Sequence, residues 1–409
     1  MRNSIKETFN ILYVSSVDIS RPDGPGVNER EFVNVLCETF GERVHLILPQ
    51  TESVVELDPQ LVTFVRPTPR TIWHFLHEIK VLNAIRSVRS SKRIDLIVTR
   101  IGLLPLGLAL YALTKKIPVV VRVLGDPTLK YLRQKKNLKG LFAKIMRYPH
   151  QWMARIIVSR AIAVDSCTPQ LVKRNQAFLR IDERKITHID NATNTKRFRP
   201  VPKNVARKQT GLEAFDPIIG FVGGKPWERG GIQMIEALPY LTKNYPNIGC
   251  IIVGGGEELE ELRRFAMKLH VLEHCVLPGL VPYADVPIWI NSFDVGIAFD
   301  LSDRMHYVGN SNQKIRQYIA CGKPVISTPT GNAFLEESGL GTLVRYEYIP
   351  DFVAALRKWI DKTEQEKKEH TKKAVEFAKK YLSVEKAFAD RIDFWSQRLD
   401  YSTGLGVEK

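Results

Sequence analysis

The stretch Ile218-Ile-Gly-Phe-Val-Gly-Gly-Lys-Pro-Trp-Glu-Arg-Gly-Gly-Ile232 decides the fold. Ile218 to Val222 is a short, apolar, β-branched run, the composition of a strand buried on both faces, as in parallel sheets covered by helices. A glycine-rich loop follows, and a helical pattern begins at about Ile232. Working outward, the same alternation recurs at Ile251–Val253, Cys275–Leu277, Val295–Phe299, Pro324–Ser327 and Thr342–Val344. Upstream it recurs at Ile11–Ser15, Val44–Leu48, Leu61–Val65, Asp95–Thr99, Val119–Val123 and Ala161–Asp165, with helical patterns near 28–39, 71–90, 103–115, 137–158 and 168–177. Two successive sets of strands separated by helices predict an α/β protein with two doubly wound, Rossmann-like lobes facing across a cleft. The length of 409 residues suits two domains, at about 100–200 residues per domain. The expected division is 1–200, 201–385 and a C-terminal helix at 386–409 that crosses back to the first domain, with the seam at Pro200-Val-Pro-Lys-Asn-Val-Ala206.

Charge narrows the function classes. The chain carries a formal charge of +16, with 44% apolar and 25% charged residues, values that exclude a disordered, collagen-like or coiled-coil protein. Residues 101–200 alone hold 20 Lys and Arg against 5 Asp and Glu, whereas residues 201–409 hold 27 of each sign. Part of the excess is interleaved with large apolar residues between Lys130 and Pro149. Such a segment suits an anionic membrane surface, where each Lys or Arg contributes on the order of 1 kcal/mol; a solvated helix face is the plainer alternative. No helix-turn-helix, zinc-finger or RNA-platform signature accompanies the charge, so nucleic acid is not an expected partner. No apolar run reaches the roughly 18–20 residues of a membrane span, and Met1 to Thr8 has no apolar signal core. The five cysteines (Cys37, Cys167, Cys250, Cys275 and Cys321) are scattered without a C-x-x-C pair. Reduced thiols in a cytoplasmic protein are expected, peripheral at the inner membrane surface where the basic stretch docks.

In open α/β sheets ligands bind beyond the carboxyl ends of the strands, so three loops are candidate sites. In the loop Ser15 to Asn28, Gly24 and Gly26 let backbone amides approach an anion at a helix N-terminus; a Gly- and Pro-rich turn is also simply a turn. In the second lobe, Gly223 and Gly224 open a loop flanked by Lys225 and Arg229, which can neutralise the two charges of a diphosphate while the loop amides bind its oxygens. The third is Gly309-Asn-Ser-Asn-Gln-Lys-Ile-Arg-Gln-Tyr-Ile-Ala-Cys-Gly-Lys-Pro-Val325. Here Asn310 and Ser311 are expected to cap a helix whose first turn offers Lys314 to a bound anion. Gln317, one turn on, can hydrogen-bond a hydroxyl such as that of a ribose.

The order of elements and these loops resemble the GT-B glycosyltransferases, specifically the family 4-like, retaining, nucleotide-sugar-dependent group. The resemblance covers nearly the whole chain and is densest at 218–330. That family's G-x-x-x-x-x-K-G runs here from Gly223 to Gly230, with Arg229 at the lysine position and the preceding basic residue displaced by one place to Lys225. Val253-Gly-Gly-Gly-Glu257, Pro278-Gly279 and Ser292-Phe-Asp294 match further, Ile189 to Pro200 echoes a P-N-G-V-D…F-R-P stretch, and Lys314 to Val325 matches the closing motif in a K-x-x-Q form. The two glutamates that family members place eight positions apart fall at Gly309 and Gln317, and the usual histidine after the fifth strand falls near Leu124, with Asp126 the nearest polar candidate.

The resemblance implies transfer of a sugar from a UDP- or GDP-sugar donor to a hydroxyl acceptor, a lipid-linked sugar or cell-surface glycan precursor. Lys225, Arg229 and Lys314 would stabilise the leaving diphosphate with no metal and no cofactor, and Asp126 would orient or deprotonate the acceptor. The missing glutamates favour one alternative, a catalytically degenerate sugar-nucleotide-binding protein of the same fold. A nucleotide-sugar epimerase shares the architecture but lacks its signature here.

Overall fold

The structure, a computed structural model, describes residues 5, 8–21, 23–51, 57–66, 74–101, 106–115, 117–125, 138–300, 309 and 311–402. Contacts divide the chain into one unit of Met1–Asp190 with Ala387–Lys409 and another of Asn191–Lys386.

The first unit is built on β1 (Ile11–Val14), β2 (Val44–Pro49), β3 (Val62–Val65), β4 (Leu96–Arg100), β5 (Val119–Arg122), β6 (Ala161–Ser166) and β7 (Ile186–His188). They form one parallel sheet in the order β3-β2-β1-β4-β5-β6-β7. Every residue of β1 is buried, and alternate residues enter different layers: Leu12 and Val14 one core, Ile11 and Tyr13 the other. Burial on both faces is why the run is continuously apolar. Edge strand β7 has no counterpart in the sequence reading, because Thr187 is half-buried and His188 exposed, and both break the apolar pattern.

The second unit carries β8 (Ile218–Gly223), β9 (Gly249–Gly254), β10 (Cys275–Gly279), β11 (Val295–Ala298), β12 (Val325–Ser327) and β13 (Gly341–Leu343). These are parallel in the order β10-β9-β8-β11-β12-β13. Ile219 and Phe221 enter one layer, Ile218 and Val222 the other. In both sheets the order reverses direction beside the first strand, at β1/β4 and β8/β11, and such a switch point leaves a crevice at the carboxyl ends of the strands.

Six helices bear on the sites: α1 (Gly24–Phe40), α2 (Leu138–Arg160), α3 (Gly231–Leu241), α4 (Gln313–Ala320), α5 (Glu364–Phe377) and α6 (Val384–Ser402). Helix α1 starts four residues before the expected position, because Asp23 caps it by accepting from the Gly26 amide at 2.8 Å and Pro25 suits the first turn.

The division between units lies ten residues before the expected seam at Pro200. The Thr193 amide donates to the Leu382 carbonyl at 2.8 Å, the Val384 amide donates back to Thr193 at 3.1 Å, and Phe198 is buried in the second unit's core. The chain is thus committed to the second unit before the prolines arrive. At the other end, Phe388, Ile392, Trp395 and Leu399 of α6 enter the core of the first unit, so that residues from 387 onward belong to it.

Candidate functional site

In the second unit the site grows from the end of β8. Gly223 has φ of +130°, and a side chain there would place its Cβ 3.2 Å from Lys314 Nζ. The next strand end is equally close: a Cβ on Gly254 would lie 2.4 Å from the Gly223 carbonyl oxygen. Helix α4 brings Lys314 to this point. Its N-cap is Asn312, whose side chain accepts from the Lys314 amide at 3.3 Å. Tyr318 pins α4 against β8 by accepting from the Val222 amide at 2.8 Å.

Lys314 is 7% exposed, and among the described residues its ammonium has no hydrogen-bond partner; it lies 3.6 Å from the centroid of the Phe221 ring. Burial drives its pKa well below the ordinary lysine value, the positive charge of Arg229 pushes it further, and Asp300 opposes both. Two cations are therefore held close enough to repel at the mouth of a glycine-rich crevice, one of them desolvated without a bonded partner. Such an arrangement is built to receive negative charge. Gln317 is buried one turn further along α4.

The structure brings together Gly223, Arg229 and Lys314 from the sequence reading. It treats the others differently. Lys225 is exposed, takes φ of +57° and pairs with Glu228 at 3.1 Å; Gly224 is also exposed. Asn310 and Asp126 lie outside the described residues. Ser311 does not supply the helix cap, since Asn312 does. Ser311 instead anchors the start of the unit: its hydroxyl accepts from the Asn191 amide at 3.2 Å, and its carbonyl accepts from Asn191 Nδ2 at 2.9 Å. Gln313 Nε2 adds a bond to the Ala192 carbonyl at 2.6 Å. Gly309 is buried with φ of +67°. At that position, where the resembled family carries a glutamate, the left-handed backbone favours glycine over any side chain.

In the first unit, the expected anion loop is already occupied by the protein itself. The Gly26 amide is spent on the Asp23 carboxylate, and a Cβ on Gly26 would fall 2.5 Å from the Arg21 carbonyl oxygen. Gly26 is thus explained by packing, and Gly24 has open space around it.

At the carboxyl ends of β1, β4, β5 and β6 lies a buried ionic cluster that the sequence reading missed. Glu29 is fully buried, accepts from the Tyr13 hydroxyl, and pairs with Arg100 at 2.9 Å and Arg122 at 3.6 Å. Burial pushes its carboxyl up, but Arg100 and Arg122 outweigh this and hold it below the ordinary glutamate value. Asp165, also fully buried, faces Arg122 at 3.8 Å and Arg391 of α6 at 3.4 Å. The guanidinium of Arg122 stacks 3.5 Å from the Phe32 ring centroid. The signal was present: Arg100, Arg122 and Asp165 each close or interrupt an otherwise apolar strand run.

Among the described residues no group of three or more His, Cys, Asp or Glu is placed to hold a metal ion, and no helix is long and apolar enough to cross a membrane. All five cysteines are free thiols.

Two Rossmann-like lobes with parallel sheets, each with a strand-order switch point beside its first strand, match the GT-B architecture. Solved structures agree over nearly the whole chain. The Anabaena protein HepE in complex with UDP superposes with a TM-score of 0.69 at 17% identity, covering 95% of this chain and 99% of that one. Sucrose-phosphate synthase from Thermosynechococcus elongatus gives a TM-score of 0.68 at 16% identity, covering 96% and 100%. At these identities the likeness is one of fold. Residues 202–380 match the family model described as glycosyl transferases group 1. A curated relative, the GDP-mannose-dependent alpha-(1-6)-phosphatidylinositol monomannoside mannosyltransferase of Mycolicibacterium smegmatis, is 30% identical over 153 residues, which is 36% of this chain and 39% of that protein. The chain spans less than half the length of the curated relatives it matches.

Proposed function

We propose that this protein is a hexosyltransferase that moves a sugar from a UDP- or GDP-sugar to a hydroxyl acceptor. The observation that carries the reading is the buried, unbonded ammonium of Lys314 beside Arg229 at the β8 switch point. In sugar transfer the bond from the anomeric carbon to the diphosphate oxygen breaks, the acceptor oxygen bonds to that carbon, and the acceptor loses its proton. Negative charge grows on the departing diphosphate, and preorganised cations in a dry site stabilise such charge far better than water does. Lys314 and Arg229 take that role, with Lys225 joining them when it exchanges Glu228 for phosphate. Gln317 offers an amide to the ribose hydroxyls, and Asp126 receives the acceptor proton. The match of residues 202–380 and the GDP-mannose dependence in the relative's name support the donor class.

The test is product formation from a panel of UDP- and GDP-hexoses with glycolipid acceptors, read by mass spectrometry. Nucleotide binding with no turnover on any donor would leave the degenerate binding protein instead. Full turnover by Asp126→Asn would remove that residue from the reaction.

A lipid-linked acceptor at an anionic membrane surface fits the basic segment. Helix α2 leaves Leu141, Ile145, Tyr148 and Trp152 more than half exposed. Their spacing of four, three and four residues puts them on one face. The stretch that contains them, residues 101–200, carries nearly all of the chain's net positive charge, with 20 Lys and Arg against 5 Asp and Glu, and that charge opposes pairing with a second copy while favouring anionic lipid. Vesicles containing phosphatidylglycerol should sediment the protein at low salt and release it at high salt, with a blue shift in Trp152 emission that Leu141→Ser weakens. Equal binding to pure phosphatidylcholine would refute the reading.

A further inference from the structure

We infer that a cavity at the amino-terminal edge of the second unit's sheet is a second ligand site, built for a small phosphorylated molecule. The cavity measures about 480 Å³, within the roughly 300–1,000 Å³ of small-molecule sites. Its walls include Phe293-Asp294, which precede β11, and Lys323-Pro324, which precede β12. Lys314 and Gly223 lie at the carboxyl end of β8, so the sheet itself separates this cavity from the crevice described above.

The lining charge is unbalanced. Among the described lining residues five lysines, Lys203, Lys323, Lys362, Lys367 and Lys368, stand against two carboxylates, Asp294 and Glu364, and Lys203 also reaches Asp216, outside the cavity wall, at 3.3 Å. Asp294 is already engaged, accepting from Arg207 Nη2 at 2.6 Å, the Ile218 amide at 2.7 Å and Lys203 Nζ at 3.0 Å. Glu364 is taken by Lys367 at 3.3 Å, and Lys362 reaches out to Glu366 at 3.8 Å. Lys323 is left with a carbonyl, that of Asn291 at 2.9 Å. An ammonium has three protons to donate, and among the described residues this carbonyl is the one acceptor bonded to it. Burial correspondingly pushes the Lys323 amine down to about 8, with Asp294 acting against this. Lys368 stands exposed on the rim.

A phosphoryl group answers these features better than a carboxylate. It brings more charge and more acceptor oxygens to several point-charge ammonium groups that cannot all reach one oxygen pair. The remaining wall includes the Trp359 and His370 rings, which meet edge to face with their centroids 4.9 Å apart. Burial holds His370 down at about 4, neutral at physiological pH. The cavity's charge is therefore lysine charge, and it persists across the neutral range.

Inorganic pyrophosphate is the probe, titrated calorimetrically into the full chain. The wild type is expected to bind at two sites, with orthophosphate at least tenfold weaker at the cavity. Lys323→Met should remove one site and leave the other. Lys368→Glu, a change on an exposed side chain that the fold does not need, should weaken the same site about fivefold to tenfold without changing the melting temperature, and it decides the matter should Lys323→Met fail to fold. Lys314→Met should remove only the other site. Should Lys314→Met keep both sites while Lys323→Met loses one, the donor-site reading fails and this one stands. Wild-type stoichiometry and affinity in Lys368→Glu, with either the same in Lys323→Met or an unfolded Lys323→Met, would mean adventitious ion binding and overturn the inference.

Discussion

Replacing Lys314 by methionine should make the ligand-free protein more stable and the enzyme far worse. Methionine follows the path of the lysine stem and removes only the charge. In the free protein that charge is buried and makes no hydrogen bond, and a buried polar group without a partner costs about 1–3 kcal/mol. The Phe221 ring at 3.6 Å returns part of this, because a desolvated cation over an aromatic face gains about 0.5–2 kcal/mol. Taking the middle of each range, the net relief on substitution is about 1 kcal/mol, and for a unit of about 200 residues, at roughly 2–4 °C per kcal/mol, the melting temperature should rise by roughly 2–4 °C. Loss of one donor to the leaving diphosphate should lower turnover by roughly 10²–10³. Calorimetric melts with and without UDP or GDP test the first half, and nucleotide release from the active donor tests the second. In the variant, nucleotide should no longer raise the melting temperature. A variant that melts lower than wild type in the absence of ligand, or that turns over at the wild-type rate, would refute the idea that the fold tolerates this ammonium for the sake of an anion.

Gly223→Ala should weaken nucleotide binding at least tenfold, because the new Cβ would sit 3.2 Å from Lys314 Nζ on a backbone at φ of +130°; strain of this kind costs about 1–3 kcal/mol, read as a lower urea midpoint, and unchanged affinity would contradict the geometry. Glu29→Ala strips Arg100 and Arg122 of their shared partner, which should destabilise the first unit by roughly 3–5 kcal/mol; a urea titration that leaves its transition in place would show the cluster to be dispensable. Anion binding should be coupled to proton uptake: the free-state pKa of Lys314 is depressed, a bound diphosphate favours the ammonium, and protons are therefore taken up between the depressed value and the ordinary one. Titrations of UDP in buffers of different ionisation enthalpy measure this, and equal uptake by wild type and Lys314→Met would assign the proton elsewhere. By the same sign, the folded form binds fewer protons at Lys314 than the unfolded form does, so the ligand-free protein should gain stability as pH rises through that window.

The fold was legible because doubly buried parallel strands leave a simple trace. Ile218 to Val222 and Val119 to Val123 read as strands since both faces of each sheet exclude water. What the sequence hid was set by contacts distant along the chain. The boundary at Asp190 depends on Thr193 bonding to Leu382 and Val384, and nothing local to Thr193 announces that. Asn310, Ser311 and Asn312 are all acceptable caps by residue type. Only the pull of Asn191 on Ser311 shows which of them the helix uses.

The two clusters of buried charge show how differently such groups can be reached. Lys314 announced itself because it stands on the first turn of a helix behind a glycine-rich loop, where local chemistry alone predicts an anion site. The Glu29–Arg122–Asp165–Arg391 cluster draws its members from α1, two strands and a helix more than two hundred residues further on. Its carboxylates and guanidinium groups pair with one another, whereas among the described residues the ammonium of Lys314 faces no carboxylate within ion-pair distance and has no hydrogen-bond partner. That difference separates the two roles: a network of paired charges fixes α6 to the first unit, and on the function proposed above the buried cation of Lys314 awaits a ligand's charge. The same criterion singles out Lys323, the lysine of the second cavity whose one bonded acceptor is a carbonyl.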